Sequence, residues 1–449
     1  MYYDIVGSLP INLLIHVVKH LDLEDVFRSQ RVSRRWHTVL SGDEVIAYIL
    51  RETLDFLGLH SDEVSVDIAM ADAMRYFRWR HGLEHARPVK KIFLPWSIYF
   101  PGIPNEIQYN SRRLCYTLYS REVVKMVNLF ENGETSSWTG SGIRNALHLC
   151  LSDCFLVLLW KDSGALQSFI HPVLCLTAWN LRTKQRLDRR IPAFDARFMI
   201  VENKVVIAPS LQSRPNAVYV WELSSNDFKA IGKFSNLLLS HMDATDNILV
   251  AFEIWSTLSS SPPIVQQTKW KTTTEQLLDK KIFILPGPAN HIPLNQFDWG
   301  RNSWNTFGHR TVVQSEASWI GKYNGVLYLE YDQAIDQLSV QRIDRAELVN
   351  KSGRSTFLTP NLVYRCNSET MELVAYNTTT GAATLRSIDK QLEREELLSR
   401  DNVLEFNLFG DREVFGFAVK TGIQLWFFNP SFTPDIIPTR ESSPPDVNE

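Results

Sequence analysis

The spacing of apolar residues along this chain changes near residue 90. Before that point apolar side chains recur every three or four residues, the spacing of one face of an α-helix. The pattern predicts three short helices, a fourth that begins near Ser41, and a fifth from about Asp62 to His81. Gly82 is a natural residue to end the fifth helix. We therefore expect a helical unit over residues 4–50 and a helical linker over residues 51–88.

Beyond residue 90 the pattern becomes that of short β-strands. Runs such as Phe155–Trp160 and Ile248–Trp255 are rich in β-branched and aromatic residues, and Asn, Asp, Gly, Ser and Pro separate them. No helical stretch between them is long enough for a parallel crossover. Residues 89–432 are thus predicted to be all-β, and residues 433–449 a disordered tail. The fold class is an α+β multidomain chain.

A weak repeat within the β region indicates a propeller. Strands that end in an aromatic residue and run into a polar turn recur at intervals of 42 to 61 residues. Their marker positions are Asn128, Trp179, Trp221, Trp270, Tyr331, Tyr376 and Trp426. This spacing is near the 40–50 residues of a propeller blade, so the repeat predicts seven blades, with six or eight as alternatives. We expect the late strand Ile423–Phe428 to share a blade with the early strand Lys91–Leu94.

The N-terminal residues resemble an F-box domain. Ser8-Leu9-Pro10 opens the first helix, and Gln30-Arg-Val-Ser-Arg-Arg-Trp36 is similar to the family's Val-Cys/Ser-Lys/Arg-x-Trp signature. Asn12 stands where the family usually has Glu. A three-helix unit of this size buries too little surface to be stable alone, so its apolar faces need a partner or a neighbouring helix.

The resemblance implies a Skp-type adaptor as that partner, and through it a cullin and a RING subunit. The expected adaptor-binding residues are Leu9, Pro10, Leu13, Leu14, Ile15, Leu21, Leu23 and Val32. The alternative is that these residues only pack against the fourth and fifth helices. Trp36 is expected inside the unit, where it would hold the helices together.

A second candidate site lies in the propeller region. Residues 295–310 concentrate Trp and Arg, the residue types most enriched at interface hot spots. We take Trp299, Arg301, Trp304 and Arg310 as candidate target-binding residues. The alternative is that the two Trp side chains fill blade cores.

Three further patterns favour ordinary structural roles. His81-Gly-Leu-Glu84-His85 spells an inverted zinc-protease motif, but Gly82 is expected to interrupt the helix and Arg residues crowd it. Cys150 and Cys154 are expected to be core thiols, so no metal site is predicted. The basic stretch from Arg75 to Lys91 is read as an amphipathic helix rather than a nucleic-acid surface.

Composition and charge exclude several classes of protein. The net charge is −3, five scattered cysteines give no disulfide framework, and there is no secretory signal or apolar run that could cross a membrane. No cofactor or catalytic motif is present. We expect a non-catalytic substrate-recognition subunit of a cytoplasmic or nuclear ubiquitin ligase of the SCF type. The alternatives are an F-box scaffold without ligase activity and a propeller hydrolase or lectin-like binder.

Overall fold

The computed structural model describes residues 8–21, 23–57, 59, 70–95, 106–110, 112–117, 123–129, 135–139, 146–162, 173–191, 196–209, 217–234, 237–255, 264–284, 297–298, 304–307, 310–317, 325–343, 355–367, 372–387, 408–419 and 422–431. An N-terminal helical region is followed by a seven-blade β-propeller. The α+β fold class predicted from the sequence is confirmed. The predicted disordered tail, residues 433–449, lies outside the described residues.

Five helices form the N-terminal region of the described chain. They are α1 (Ile11–Val18), α2 (Leu23–Ser29), α3 (Arg34–Leu40), α4 (Asp43–Leu57) and α5 (Met70–Glu84). Buried Leu14 and Val18 of α1 share a core with residues of α2 to α5, among them Val26, Ile49 and Phe77. The first three helices are thus completed by the two that follow, since α4 and α5 supply the apolar cover that a unit of this size needs.

The first strand, β1 (Lys90–Pro95), leads into three four-stranded antiparallel sheets, which we call blades 1 to 3. Blade 1 is β2 (Glu106–Asn110), β3 (Arg113–Thr117), β4 (Val123–Asn128) and β5 (Thr135–Thr139). Blade 2 is β6 (Ala146–Leu151), β7 (Phe155–Asp162), β8 (Val173–Asn180) and β9 (Arg186–Ile191). Blade 3 is β10 (Ala196–Val201), β11 (Lys204–Pro209), β12 (Val218–Glu222) and β13 (Asp227–Ile231).

Four more antiparallel sheets complete the ring. Blade 4 is β14 (Leu237–Asp243), β15 (Ile248–Trp255), β16 (Ile264–Lys271) and β17 (Gln276–Ile284). Blade 5 is β18 (Phe297–Asp298), β19 (Trp304–Phe307), β20 (Arg310–Ala317), β21 (Gly325–Asp332) and β22 (Gln337–Ile343). Blade 6 is β23 (Ser355–Thr359), β24 (Leu362–Asn367), β25 (Glu372–Asn377) and β26 (Ala383–Ser387). Blade 7 combines β27 (Leu408–Gly410), β28 (Val414–Val419) and β29 (Gly422–Phe427) with β1.

Blade 7 closes the ring with strands from both ends of the propeller region. β1 pairs with β29 in antiparallel register, from Lys90 opposite Phe427 to Pro95 opposite Gly422. The innermost strand of the blade, β27, lies against β2 on one side and β23 on the other. The predicted pairing of the early and late strands is therefore confirmed. A closed ring leaves no inner sheet edge exposed.

The seven marker positions fall in the third strand of the seven blades: β4, β8, β12, β16, β21, β25 and β29. The turns that follow explain the repeat. Asn180 Oδ1 accepts the N–H groups of residues 182 and 183 at 3.0 and 2.9 Å, and Asn377 Oδ1 accepts those of residues 379 and 380 at 3.0 Å each. A short polar side chain at the strand end thus shapes the turn by bonding its own backbone.

The end of α5 differs from the prediction. Gly82 lies inside the helix, which continues to Glu84, and the left-handed residue that ends it is Ala86, with φ of 49°. The N–H of Arg87 bonds the carbonyl of Gly82 at 2.7 Å, and the N–H of Ala86 bonds that of Leu83 at 3.1 Å. This is a Schellman motif with Ala in the usual place of Gly. Glycine at position 82 instead allows α5 to pack closely against the backbone that follows it, because a Cβ there would lie 3.0 Å from the Arg87 carbonyl oxygen.

Helices α4 and α5 pack on the propeller over blades 6 and 7. Phe56, Trp79 and Leu83 share one buried core with Tyr364 of β24 and Phe415 of β28. Burying side chains of this size contributes roughly 1.5–3 kcal/mol each. The helices and the propeller are therefore joined by a continuous apolar core, which we call the junction.

Polar bonds surround the apolar core of the junction. Trp79 Nε1 donates to the carbonyl oxygen of Arg412 at 2.6 Å, and Arg412 Nη1 donates to that of Leu57 at 3.3 Å. The Tyr364 hydroxyl donates to the carbonyl oxygen of Leu83. Such bonds are directional, so they fix the helices in orientation as well as position.

Candidate functional site

Helix α1 and the turn before α3 expose a group of apolar side chains, which we call the F-box face. Val32 is 65% exposed, Leu13 53%, and Val17, Leu21 and Ile11 are 37–38% exposed. Leu13 and Val17 lie one helical turn apart and therefore on the same side of α1. Several exposed apolar side chains on one small domain are typical of a surface that binds a partner.

The opposite side of α1 faces the helical core. Leu14 is fully buried there, and Leu9 and Ile15 are half-buried against the same core. Pro10 is exposed and precedes α1, where its missing N–H costs no hydrogen bond. Of the predicted adaptor-binding residues, Leu13, Leu21, Val32 and Pro10 are thus the ones that the chain presents to solvent. The side chain of Leu23 lies outside the described residues.

The signature residues Ser33 and Trp36 shape the start of α3, directly after the exposed Val32. Ser33 caps α3, and its Oγ accepts the N–H of Trp36 at 3.1 Å. This bond satisfies one of the free donors at the helix start. Trp36 is half-buried against the helical core, in keeping with the role predicted for it. Val17, exposed on the same side of α1 as Leu13, was not among the predicted residues, although its four-residue spacing from Leu13 carried the signal.

The candidate target-binding residues are not brought together by the described part of the chain. Trp299 and Arg301 lie outside it, and Trp304 belongs to β19, with no described side-chain contact. Arg310, at the start of β20, ion-pairs across to α4: its Nη2 is 3.1 Å from Asp55 Oδ1. Target binding by these four residues stays a prediction.

Arg310 is surrounded by carboxylates. Its Nε lies 3.3 Å from Asp332 Oδ2 and 3.7 Å from Glu330 Oε1, both on β21. Burial raises the pKa of Glu330, while the Arg310 guanidinium opposes that rise. The arrangement ties blade 5 to α4 and adds an electrostatic contact to the junction.

A cleft of about 860 Å³ runs between the helices and blades 5 and 6. Its walls carry Glu52 and Asp55 of α4, Arg80 of α5, Gln337 of β22 and Asn377 of β25. Arg80 bonds Glu84 at 3.2 Å, and Asn377 Nδ2 donates to the same carboxylate at 3.2 Å. One wall of the cleft is thus a bonded group of Arg80, Glu84 and Asn377 that ties α5 to blade 6.

The zinc-protease pattern is not interrupted at Gly82, contrary to expectation: His81 to Glu84 lie on α5, and His85 follows its last residue. The rings of His81 and His85 stack with centroids 4.1 Å apart. The Glu84 carboxylate, which would have to act as a base, is held by Arg80 and Asn377. Within the described residues, no group of three or more His, Cys, Asp or Glu side chains is placed to hold a metal ion.

The cysteines and the basic stretch were predicted with mixed success. Cys154 is exposed at the end of the three-residue turn between β6 and β7, so its assignment as a core thiol is wrong: it lies in a surface turn and not in a strand. Cys150 is half-buried in β6.

In the basic stretch, Arg80 lies over the ring of Phe56 at 4.7 Å and Lys91 over that of Trp426 at 4.7 Å. Helical membrane spans are absent from the described residues.

Comparison with known families and structures completes the description. The F-box domain model matches residues 7–47. No curated protein matches the chain significantly. The β-propeller domain of Myceliophteria thermophila Cps50 (Swd1) is 11% identical, with a TM-score of 0.47 over 75% of this chain and 99% of that one.

Two further structures have similar coverage. An inactive virginiamycin B lyase from Staphylococcus aureus is 10% identical, with a TM-score of 0.43 over 75% of this chain and 99% of that one. The WD40 domain of Toxoplasma gondii coronin is 11% identical, with a TM-score of 0.39 over 78% and 89% of the two chains. The seven closed sheets described above define the propeller independently of these likenesses. Residues 7–47 are an F-box domain, and the chain joins it through α4 and α5 to a seven-blade β-propeller.

Proposed function

We propose that this chain is the substrate receptor of an SCF-type ubiquitin ligase. The F-box face binds a Skp-type adaptor, which connects to a cullin and a RING subunit, and the propeller binds a target protein. The observation that carries the proposal is the exposure of Leu13, Val17, Leu21 and Val32 on one F-box domain. Apolar side chains left in water beside a completed helical core favour a protein partner.

The junction supports a positioning role. A receptor raises the effective concentration of its target near the transferable ubiquitin only if the two binding surfaces keep a fixed distance. Here Trp79, Arg412 and Tyr364 bond the helices to the propeller. No side chain of this chain then has to make or break a bond, in keeping with the non-catalytic role typical of F-box proteins.

We infer that the target binds at the end of the propeller that the helices leave free. Their contacts involve Arg412, Asn377 and Arg310, which lie at or beside the turns joining first to second and third to fourth strands. That end of blades 5 to 7 is covered. The described contacts of the helices do not extend to the opposite end of the sheets, and we assign target binding to that end.

Adaptor binding is tested on the F-box face itself. We expect Leu13→Asp combined with Val32→Asp to weaken co-purification with a Skp-type adaptor at least tenfold, because two buried apolar contacts would become buried charges. Both side chains are more than half exposed, so the melting temperature should stay within about 2 °C of the unmodified chain. The measurement is adaptor recovered per mole of receptor.

Leu385→Asp is the matched control, since Leu385 is 50% exposed on the outer strand of blade 6, away from the F-box face. It should leave adaptor binding unchanged. Equal binding by the double variant and the control would contradict the interface. Ligase and scaffold roles are separated by reconstituting the adaptor, cullin and RING subunits with captured targets: ubiquitin conjugates support the receptor, and target binding without conjugates supports the scaffold.

A further inference from the structure

A polar contact between neighbouring blades recurs along the rim of the propeller. In each case a Lys or Arg of an outer strand bonds the turn that leads into the outer strand of the next blade, and we call this contact the rim bond. Arg189 of blade 2 donates to the carbonyl oxygen of Asn226 in blade 3 at 2.8 Å. Lys229 of blade 3 donates to that of Thr273 in blade 4 at 3.0 Å.

Two more rim bonds follow along the chain. Lys281 of blade 4 bonds the Asp336 carboxylate in blade 5, and Arg386 of blade 6 bonds the carbonyl oxygen of Ala86, which leads into β1 of blade 7. Asp336 and Ala86 have left-handed backbones, with φ of 52° and 49°. Gly381, with φ of 69°, has the same conformation in the turn of blade 6 that leads into β26. That turn therefore has the shape of one that receives a rim bond.

Blade 5 has no cation at the positions that would bond this turn. The cations of blades 2, 4 and 6 all lie opposite the residue three places before the marker position of their third strand. In blade 5 this place, opposite Tyr328, holds Gln341. Lys229 lies opposite the residue directly before its marker, and the equivalent residue of blade 5 is Ser339. The rim bond from blade 5 to blade 6 thus lacks its donor.

The cleft between the helices and blades 5 and 6 lies at this place. Ser339 lines it from blade 5, and the exposed Thr379 and Thr380 line it from the turn of blade 6. All five N–H groups from residue 378 to residue 382 are used in bonds within blade 6. The turn consequently offers an incoming group acceptors rather than backbone donors.

Carboxylates outnumber cations in the walls of the cleft. Five carboxylates face three Lys or Arg side chains: Glu52, Asp55, Glu84, Glu330 and Asp332 against Lys19, Arg80 and Arg310. Arg80 and Arg310 already pair with carboxylates of this chain. Burial raises the pKa of Glu330, and the neighbouring Asp332 and Asp55 add to the rise although Arg310 opposes it. A further cation in the cleft would offset this excess of negative charge.

We propose that the cleft binds an Arg or Lys side chain on an extended segment of a partner protein. The bound side chain takes the place of the missing donor and bonds the turn of blade 6 and the carboxylates beside it. Ile335, 66% exposed, and Leu21, 38% exposed, also line the cleft and favour apolar residues next to the cation. A cleft of about 860 Å³ has the size of a small-molecule site, which is enough for a few residues.

The site is separate from the end of the propeller that we assign to the target, because it lies at the end that carries the helices. It is therefore a site for a second partner. The proposal does not rest on the proposed function, since peptide binding to the full chain can be measured without an adaptor or a target.

Fluorescence anisotropy with a labelled peptide, Leu-Arg-Leu-Arg-Leu, tests the site directly, and Leu-Glu-Leu-Glu-Leu is the control peptide. We expect saturable binding of the first peptide alone. Glu52→Gln combined with Asp55→Asn should weaken it about tenfold, because two acceptors of the cation lose their charge. Glu275→Gln combined with Asp279→Asn is the matched control. It removes two exposed carboxylates from the rim of blade 4, where the rim bond is already made.

A cation supplied by the chain itself should compete with the peptide. Ser339→Lys places a Lys where blade 3 has Lys229, and we expect it to weaken peptide binding about tenfold. Ser339→Gln adds a side chain without charge, and Gln276→Lys adds the same charge to the outer strand of blade 4. Both should leave binding within about twofold, as is usual for changes at exposed sites.

Three results would overturn the proposal. The first is the absence of saturable binding, or equal binding of the Arg and Glu peptides. The second is equal binding by the variant at Glu52 and Asp55 and its control at Glu275 and Asp279, since the attraction would then come from the charge of the whole chain. The third is binding of spermidine without binding of the Arg peptide, because the cleft would then take a small cation and not a protein segment.

Discussion

The negative charge of Asp411 destabilises the folded chain. It lies in the turn between β27 and β28, where its Oδ1 accepts the N–H groups of Glu413 and Val414 at 2.8 and 3.0 Å. Burial raises the pKa of Asp411 to about 6, and the neighbouring Glu413 adds to the rise. The folded chain thus binds this proton more tightly than the unfolded chain, and its contribution to stability falls as pH rises from about 4 to 6.

We expect Asp411→Asn to raise the free energy of unfolding at pH 7.5 by about 1–2 kcal/mol. The amide oxygen still accepts both backbone N–H groups, and the buried charge is gone. Near pH 4 the native carboxyl is already neutral in the folded chain, so the gain should disappear. Urea unfolding at the two pH values measures the difference. A variant that is no more stable than the native chain at pH 7.5 would contradict this account.

Residue roles differ in how far the sequence reveals them. Ser33 and Trp36 could be assigned because a helix cap and its partner are close in sequence. Arg310 could not, because its partner Asp55 comes from α4, 255 residues earlier in the chain. The predicted end of α5 at Gly82 was wrong for a local reason: Ala86 adopts the left-handed conformation that usually favours Gly, and Gly82 lies inside the helix, tight against the Arg87 carbonyl.

At the scale of elements, the third strand of each blade is the part that the sequence marks best. In blades 2, 3, 6 and 7 this strand is buried on both sides and ends in aromatic residues, and in blades 2 and 6 it runs into a turn built by a polar side chain. Trp179 followed by Asn180 and Tyr376 followed by Asn377 show both features. First and fourth strands have no such signature. The exposed strand β17, for example, could not be distinguished from a buried one by its composition.

The pairing of β1 with β29 leaves no room for a side chain at Gly422. A Cβ there would lie 2.3 Å from the carbonyl oxygen of Leu94 and 2.5 Å from Phe93 Cζ. We expect Gly422→Ala to destabilise the propeller by about 2 kcal/mol or more, because the backbone of β1 would have to move. Gly42→Ala, at the start of α4, meets nothing closer than 3.3 Å and is the control. Equal melting temperatures for the two variants would contradict closure through this pair.

For the whole molecule, the junction decides whether the helices and the propeller unfold together. Trp79 lies in the core of the junction and is 5% exposed. Replacing such a side chain by Ala lowers the free energy of unfolding by about 3–5 kcal/mol. We expect Trp79→Ala to split a single calorimetric transition into two, because the helices would lose their hold on blades 6 and 7. Trp138→Ala in blade 1 removes an equally buried Trp without touching the junction. Its transition should shift to lower temperature but stay single.

The outer strand of the closing blade, β1, is the first strand of the propeller to be synthesised. During synthesis β1 leaves the ribosome about 310 residues before β27, the first of its blade partners. The ring therefore stays open until the last strand, β29, has been translated. The F-box face, in contrast, is finished once α5 has emerged. With the proposed function, an adaptor would engage the nascent chain before the propeller could hold a target, and a chain that stops short of Phe427 would keep the first ability without gaining the second.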